Sequence, residues 1–232
     1  MDISEIGIVI ADEKEFSPFL SFFRGSSLSE EQIGGFRSAR FFIERSEVIV
    51  MLCGIGKVNS ACAAATLIHA CGCKIILNAG LSGGVKADIA SFVVSKRFVE
   101  HDFDLTPIGY PLGKKPGEDI FSYPDEELLC IAEKLFSRFG IRRATFGSGD
   151  GFISSSEQTR RFIKEFDEDA CDMESAAISS VCRRNCIPFI SFRKISDGAD
   201  ESAVEDYNDM NDREEIDLAE LIFEYVKELN KQ

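Results

Sequence analysis

Glu174 and Asp197 are the two side chains of this sequence best placed for acid–base work. They lie in Cys171–Asp200, CDMESAAISSVCRRNCIPFISFRKISDGAD, which reads as a helix, a short turn, a buried strand and an acidic turn. Glu174 falls in the opening turn of that helix and Asp197 just past the end of the strand. Ligands of open parallel sheets bind beyond the carboxyl ends of the strands, so Asp197 stands where chemistry is usually done. A third acid, Glu15, closes the charged turn Asp12-Glu13-Lys14-Glu15 after the run IGIVIA, Ile6–Ala11. Each has an ordinary explanation taken singly. The helix macrodipole favours an acid in a first turn, Ser-Asp-Gly is a common turn former, and Glu15 sits among other charges. Three carboxylates at one edge of one sheet are a less ordinary outcome, and they could divide the roles of general acid and general base.

Other chemistries fit less well. Ser82 and His101 could seed a triad, but there is no G-x-S-x-G elbow. Cysteine catalysis would need a paired His, and neither His69 nor His101 is placed for it. His69 and the C-x-C of Cys71 and Cys73 raise the question of a metal. Zinc needs about four ligands, usually in two spaced pairs, so no metal site is expected. Gly54-Ile55-Gly56-Lys57-Val58-Asn59 begins like a dinucleotide fingerprint, yet Asn59 stands where a small residue is needed. As a phosphate loop it fails at Val58 and Met51. Asn78–Gly84 (NAGLSGG) is better suited to let backbone approach a ligand, but it has no Arg or Lys with which to hold a phosphate.

The elements that must position the three acids follow from pattern. Ile6–Ala11 is a continuous apolar run, as in a strand buried on both faces. A helix or helical turn with Phe16, Leu20, Phe22 and Phe23 follows, in which Pro18 is tolerable only near the first turn. Ser38–Arg45 and Glu47–Cys53 read as strands, Lys57–Cys71 as an alanine-rich helix, and Lys74–Asn78 as a strand closing on the glycines. Phe92–Phe98 and Arg143–Gly147 are further strands, with the loop His101–Gly113 between them. Pro124–Phe139 and Ser155–Phe166 are helices, and Asp212–Lys231 is an acidic amphipathic one. Strands alternating with helices predict a mostly parallel sheet covered on both faces. No repeat or boundary divides the 232 residues, so one domain over 1–232 is expected.

A formal charge of −14 argues against a nucleic-acid partner. No run reaches the roughly 18 apolar residues that span a bilayer. The first residues lack a basic n-region, so a cytoplasmic protein without membrane contact is expected. Of the eight cysteines, Cys53, Cys62, Cys171, Cys182 and Cys186 lie in apolar runs and read as small, reduced, buried residues.

Cys171–Ile178 (CDMESAAI) with Arg193–Asp197 (RKISD) resembles the signature of the nucleoside phosphorylase and nucleosidase superfamily. Within it the match is closest to the 5′-methylthioadenosine/S-adenosylhomocysteine nucleosidases. IGIVIADEKEF, GIGKVNSA, NAGLSGG, HDFDLTPIGY and GDGFIS follow in the family's order, so the resemblance covers nearly the whole chain.

The resemblance implies a single-domain three-layer α/β/α fold, with a mixed, mostly parallel sheet flanked by helices. It implies an N-glycosyl hydrolase that needs no cofactor, takes a small nucleoside and works as a homodimer. Asp197 would protonate N7 of adenine and Glu15 would activate water. Glu174, beside Met173, would hold the ribosyl hydroxyls, and Arg193 would order the water and the carboxylates. Phe152 would stack on the purine while the Ile153 backbone reads its edge. Ile55, Leu81, Ser82, Gly83 and Ser196 would complete the substrate pocket. A partner's loop matching Leu105–Tyr110, with Leu105 and Ile108, would wall the 5′ end. Two positions depart from the pattern: Leu81 replaces a small hydroxyl residue, and Asp12 an apolar one near the base. Three alternatives stay open: a phosphorylase, a futalosine hydrolase of the same fold, and a nucleoside-binding protein without turnover. The preferred 5′ group is not legible in the residues.

Overall fold

The computed structural model describes residues 2–23, 28–209 and 212–232. Its strands are β1 (Glu5–Ile10), β2 (Ser29–Ile33), β3 (Phe36–Ile43), β4 (Ser46–Leu52), β5 (Ile75–Gly84), β6 (Phe92–Glu100), β7 (Arg142–Ser148), β8 (Ala170–Asp172) and β9 (Phe189–Asp197). The helices are α1 (Glu13–Phe22), α2 (Lys57–His69), α3 (Glu126–Glu133), α4 (Phe136–Phe139), α5 (Ser156–Phe166), α6 (Ser175–Asn185), α7 (Ala203–Asp209) and α8 (Asp212–Asn230), with a 3₁₀ turn at Thr106–Ile108.

β1 lies between β4 and β5 and is parallel to both. The order across the sheet is β2-β3-β4-β1-β5-β8-β7-β6-β9, and β9 returns to pair in parallel with β5. Because strand side chains alternate, β1 feeds two cores. Ile6, Ile8 and Ile10 pack with Phe16, Phe19 and Leu20 of α1 and with Leu218, Ile222 and Tyr225 of α8. On the other face Val9 packs with Ala63, Ala64 and Leu67 of α2 and with Ile178 and Cys182 of α6. The expected mixed sheet between helical layers is the observed one. Among the described residues, no helix is long and apolar enough to cross a membrane.

Several local expectations differ from the structure for identifiable reasons. The helix α1 continues through Pro18, well past its first turn. Burial of Phe16, Phe19 and Leu20, with the Asp12–Glu15 capping box, outweighs the missing N–H. β5 does not stop at Asn78 but runs on through the glycines, which β9 and β8 pair on either side. Pro124–Phe139 breaks into α3 and α4, because Lys134 and Leu135 donate to carbonyls three residues back, Ile131 and Ala132. β2 gave no hydrophobic alternation, since SEEQI is an almost fully exposed edge strand. Cys62 and Cys186 are exposed rather than buried, whereas Cys53, Cys171 and Cys182 are buried as expected.

Candidate active site

The carboxyl ends of β5, β8 and β9 and the turn after β1 meet at a cavity of about 260 Å³. Glu15, Glu174 and Asp197 all line it, although they lie far apart in the chain. Met173, Phe152, Ile153, Ile55, Leu81, Ser82, Gly83 and Ser196 line it too. A slightly larger cavity of about 300 Å³ near Lys115, Glu118 and Arg183 gathers none of these acids.

Glu15 is no solvated charge. It sits in the first turn of α1, which is entered from the strand β1, and only 8% of it is exposed. Its Oε1 accepts the Leu81 N–H at 2.6 Å and its Oε2 the Asp12 N–H at 3.2 Å. Burial pushes its carboxyl up to about 7, against the opposing pull of the Arg193 charge and the two N–H donors. Such a group can take a proton from water near neutrality.

Glu174 is the N-cap of α6, yet its side chain does not cap that helix. It reaches across to accept the Gly56 N–H at the start of α2 at 3.1 Å, and Met173 N–H at 3.3 Å. The macrodipole of its own helix therefore does not explain its position. Burial raises its pKa, with the neighbouring Asp172 charge adding to the rise and Arg193 opposing it.

Asp197 ends the strand β9 rather than following it. Ser196 Oγ donates to its Oδ2 at 2.6 Å and Ala199 N–H to its Oδ1 at 2.9 Å. It is nearly sealed from solvent, and that burial raises its carboxyl above the usual range. Gly83 lets it fit, since a Cβ there would lie 3.0 Å from Asp197 Oδ1.

Arg193 lies behind the cavity wall, fully buried in β9. Its Nη2 donates to Asn78 Oδ1 at 2.6 Å and stands 3.3 Å from both Asp172 Oδ2 and Glu174 Oε2. Its Nη1 donates to the Leu81 carbonyl at 3.0 Å. One guanidinium thus anchors the carboxylate cluster from the rear.

Leu105 and Ile108 do not reach the cavity of their own chain. The turn that carries them is exposed, Ile108 to 69%. Phe152 is about half exposed and stands edge-on to Tyr207, with ring centroids 5.8 Å apart. Ser82 Oγ is buried without a hydrogen-bond partner in a residue that lines the cavity.

Sequence reading missed Asp172 and Tyr207, both of which line the cavity. Burial of Asp172 is overcome by Arg193 and by hydrogen bonds from Ser148 and Ser175, which hold its carboxyl below the usual range. Its alternation with Glu174 was the available signal, hidden by reading Cys171 onward as helix. Tyr207 lies in an acidic stretch that carried no such signal.

Residues 5–227 match the profile of the Phosphorylase superfamily. The chain is 30% identical over 231 residues to the 5′-methylthioadenosine/S-adenosylhomocysteine nucleosidase of Shewanella piezotolerans, covering 97% of this chain and 100% of that one. It is equally 30% identical over 231 residues to the aminodeoxyfutalosine nucleosidase of Helicobacter pylori strain J99, covering 98% and 100%. A crystal structure of Helicobacter pylori 5′-methylthioadenosine/S-adenosylhomocysteine nucleosidase superposes with a TM-score of 0.93 at 30% identity, over 98% of this chain and 100% of that one.

Proposed function

The chain belongs to the phosphorylase superfamily, and from that membership we propose that it is an N-glycosyl hydrolase of 5′-modified adenosines. Its substrates are 5′-methylthioadenosine, S-adenosylhomocysteine or a close relative such as aminodeoxyfutalosine, and its products are the free base and the corresponding ribose. The observation that carries this reading is the convergence of Glu15, Glu174 and Asp197 on one cavity, with Glu15 titrating at about 7 and Asp197 raised by burial.

In this reading, breaking the glycosidic bond leaves a cation-like ribosyl centre and a base that departs poorly as an anion. Asp197 delivers a proton to N7 of adenine. Its second oxygen can accept from the 6-amino group, which favours adenine over a 6-oxo purine. Glu15 takes the proton of the attacking water. Glu174 accepts from the ribosyl hydroxyls and supports the developing positive charge. Arg193 is a positioning residue that keeps Glu174 and Asp172 in place. Phe152 and Ile153 hold the purine, Met173 packs on the ribose, and Ser82 supplies a hydroxyl to the bound ligand.

Water is favoured over phosphate because the wall is acidic. Asp12, Glu15, Asp172, Glu174 and Asp197 face the cavity, and Arg193 is already engaged by carboxylates behind it. A phosphate anion would meet repulsion where it needs an anchor.

The enzyme acts in the cytoplasm as a homodimer. Ile55 and Phe152 at the cavity, and Val58 and Ile108 elsewhere on the surface, present exposed apolar side chains that a second copy would cover. Adenine release from 5′-methylthioadenosine, followed with and without phosphate, tests the hydrolase reading. Release should be phosphate-independent and should fall by about 10²-fold or more in Asp197→Asn. Strict dependence on phosphate would sink it.

A further inference from the structure

Asp12 stands where the catalytic cavity opens into a second, shallower cavity of about 570 Å³. The two share Ala11, Asp12 and Ile55. In the reading above the base lies on Asp197 and the sugar on Glu174, which leaves to the 5′ substituent the part of the cavity lined by Asp12, Ile55 and Tyr207, at this junction.

The charges there are unevenly satisfied. Glu13 is neutralised by Arg37 at 2.7 Å, and Arg37 is shared with Glu30 at 2.9 Å. Lys14 Nζ lies over the Tyr207 ring, 5.1 Å from its centroid. Asp12 accepts only from neutral groups: the Lys14 backbone N–H at 3.2 Å, the Glu15 backbone N–H of the capping box and the Tyr207 hydroxyl at 3.1 Å. Among the described residues no Lys or Arg side chain forms an ion pair with it. A half-buried carboxylate fixed by neutral donors alone, with no cation beside it, still offers a lone pair to an incoming one.

We propose that Asp12, fixed by Tyr207, is the specificity-determining residue for the 5′ substituent, favouring a tail that ends in an ammonium group over a neutral tail of equal length. A carboxylate beside that ammonium, as in an amino-acid tail, would meet Lys14 across the Tyr207 ring. This rests on the nucleosidase reading above.

The test compares 5′-(3-aminopropylthio)-5′-deoxyadenosine with its near-isostere 5′-butylthio-5′-deoxyadenosine. Both kcat/KM in the native chain and Kd in Asp197→Asn are measured. The aminated nucleoside should be preferred by about tenfold or more in each, since a charge-assisted hydrogen bond is worth that much. The preference should shrink as salt rises from about 50 to about 500 mM. Asp12→Asn, which can still cap α1, should bring the ratio close to one. If Asp12 served only as a cap, both nucleosides would suffer together and the ratio would persist, which overturns the proposal. So would equal preference in the native chain. If neither nucleoside is cleaved, the hydrolase reading fails while the Kd ratio still decides this one.

Discussion

Leu81 donates its backbone N–H to Oε1 of Glu15 at 2.6 Å, across 66 residues of sequence. That bond ties the first turn of α1 to β5, one residue beyond Gly80. A Cβ on Gly80 would stand 2.8 Å from Glu15 Oε1 and 2.6 Å from Arg193 Nη1. Glu15, its donor and the guanidinium behind it therefore meet over a position with no side chain.

Gly80→Ala should push the Glu15 carboxylate and Arg193 apart. Activity should fall by about 10²-fold, the scale of losing one placed acid–base group, with the circular dichroism spectrum retained. Native-like turnover in a folded Gly80→Ala protein would show that the bond to Leu81 does not position the base.

The pH–rate profile should be a bell. Glu15 must be ionised, so kcat/KM should drop toward tenfold per pH step below about 7. Asp197 must be protonated, and burial raises its pKa, so the rate should also fall at high pH. A flat profile between about pH 5 and 8 would remove Glu15 from the role of base.

Stability should move the other way. Glu15 rises from 4.5 to about 7 on folding, so the folded state takes up its proton more readily than the unfolded one. The stability linked to that proton is fully present below about 4.5 and is lost as pH rises through about 7. Glu15→Gln carries no such titration. Urea unfolding at pH 5 and pH 8 should show the variant gaining on the native chain by up to about 3 kcal/mol at the higher pH. A gap that does not change with pH would contradict the raised pKa.

Glu168 and His101 form a fully buried pair, with Nδ1 at 3.2 Å from both carboxylate oxygens and the imidazole stacked on Phe162. A Cβ on Gly147 would overlap the Glu168 carboxylate. Gly147→Ala should therefore unfold at a much lower temperature. Glu168→Ala should cost roughly 3 kcal/mol, because it strips a partner from a buried polar group. The double variant should melt above Gly147→Ala, since the overlap is gone. Additive losses in calorimetry would refute that coupling.

A covering copy should be visible in solution. Ile108→Asp places a charge on an apolar side chain that is 69% exposed. Light scattering should report a dimer for the native chain and a larger monomer fraction for the variant, with activity that falls on dilution. A monomeric, fully active native protein would leave the exposed turn around Ile108 without a role in the site.

Much of the architecture could be read from pattern alone. Ile6–Ala11 announced a strand buried on both faces, because a continuous apolar run must find apolar neighbours above and below the sheet. The helices expected at Lys57–Cys71 and Ser155–Phe166 are present, whereas the one expected from Cys171 begins only at Ser175, after the strand β8. β2 and β8 escaped because an exposed edge strand and a three-residue strand need no hydrophobic alternation. Pro18 misled because local propensity was weighed without the aromatic packing that overrides it.

For the candidate site, the sequence by itself determined which residue types were available: three carboxylates, glycines at a strand end, and an Asp after Ser196. It could not say that Glu174 serves the start of α2 rather than its own helix, or that Asp172 is held as the ionised neighbour. Nor could it place Tyr207 against Asp12, because their contact spans 195 residues of chain. Those relations, and the shifted pKa of Glu15, are properties of burial and through-space charge. Both exist only once β1, β5, β8 and β9 bring distant segments to one edge, where water is excluded and one guanidinium is shared among acids.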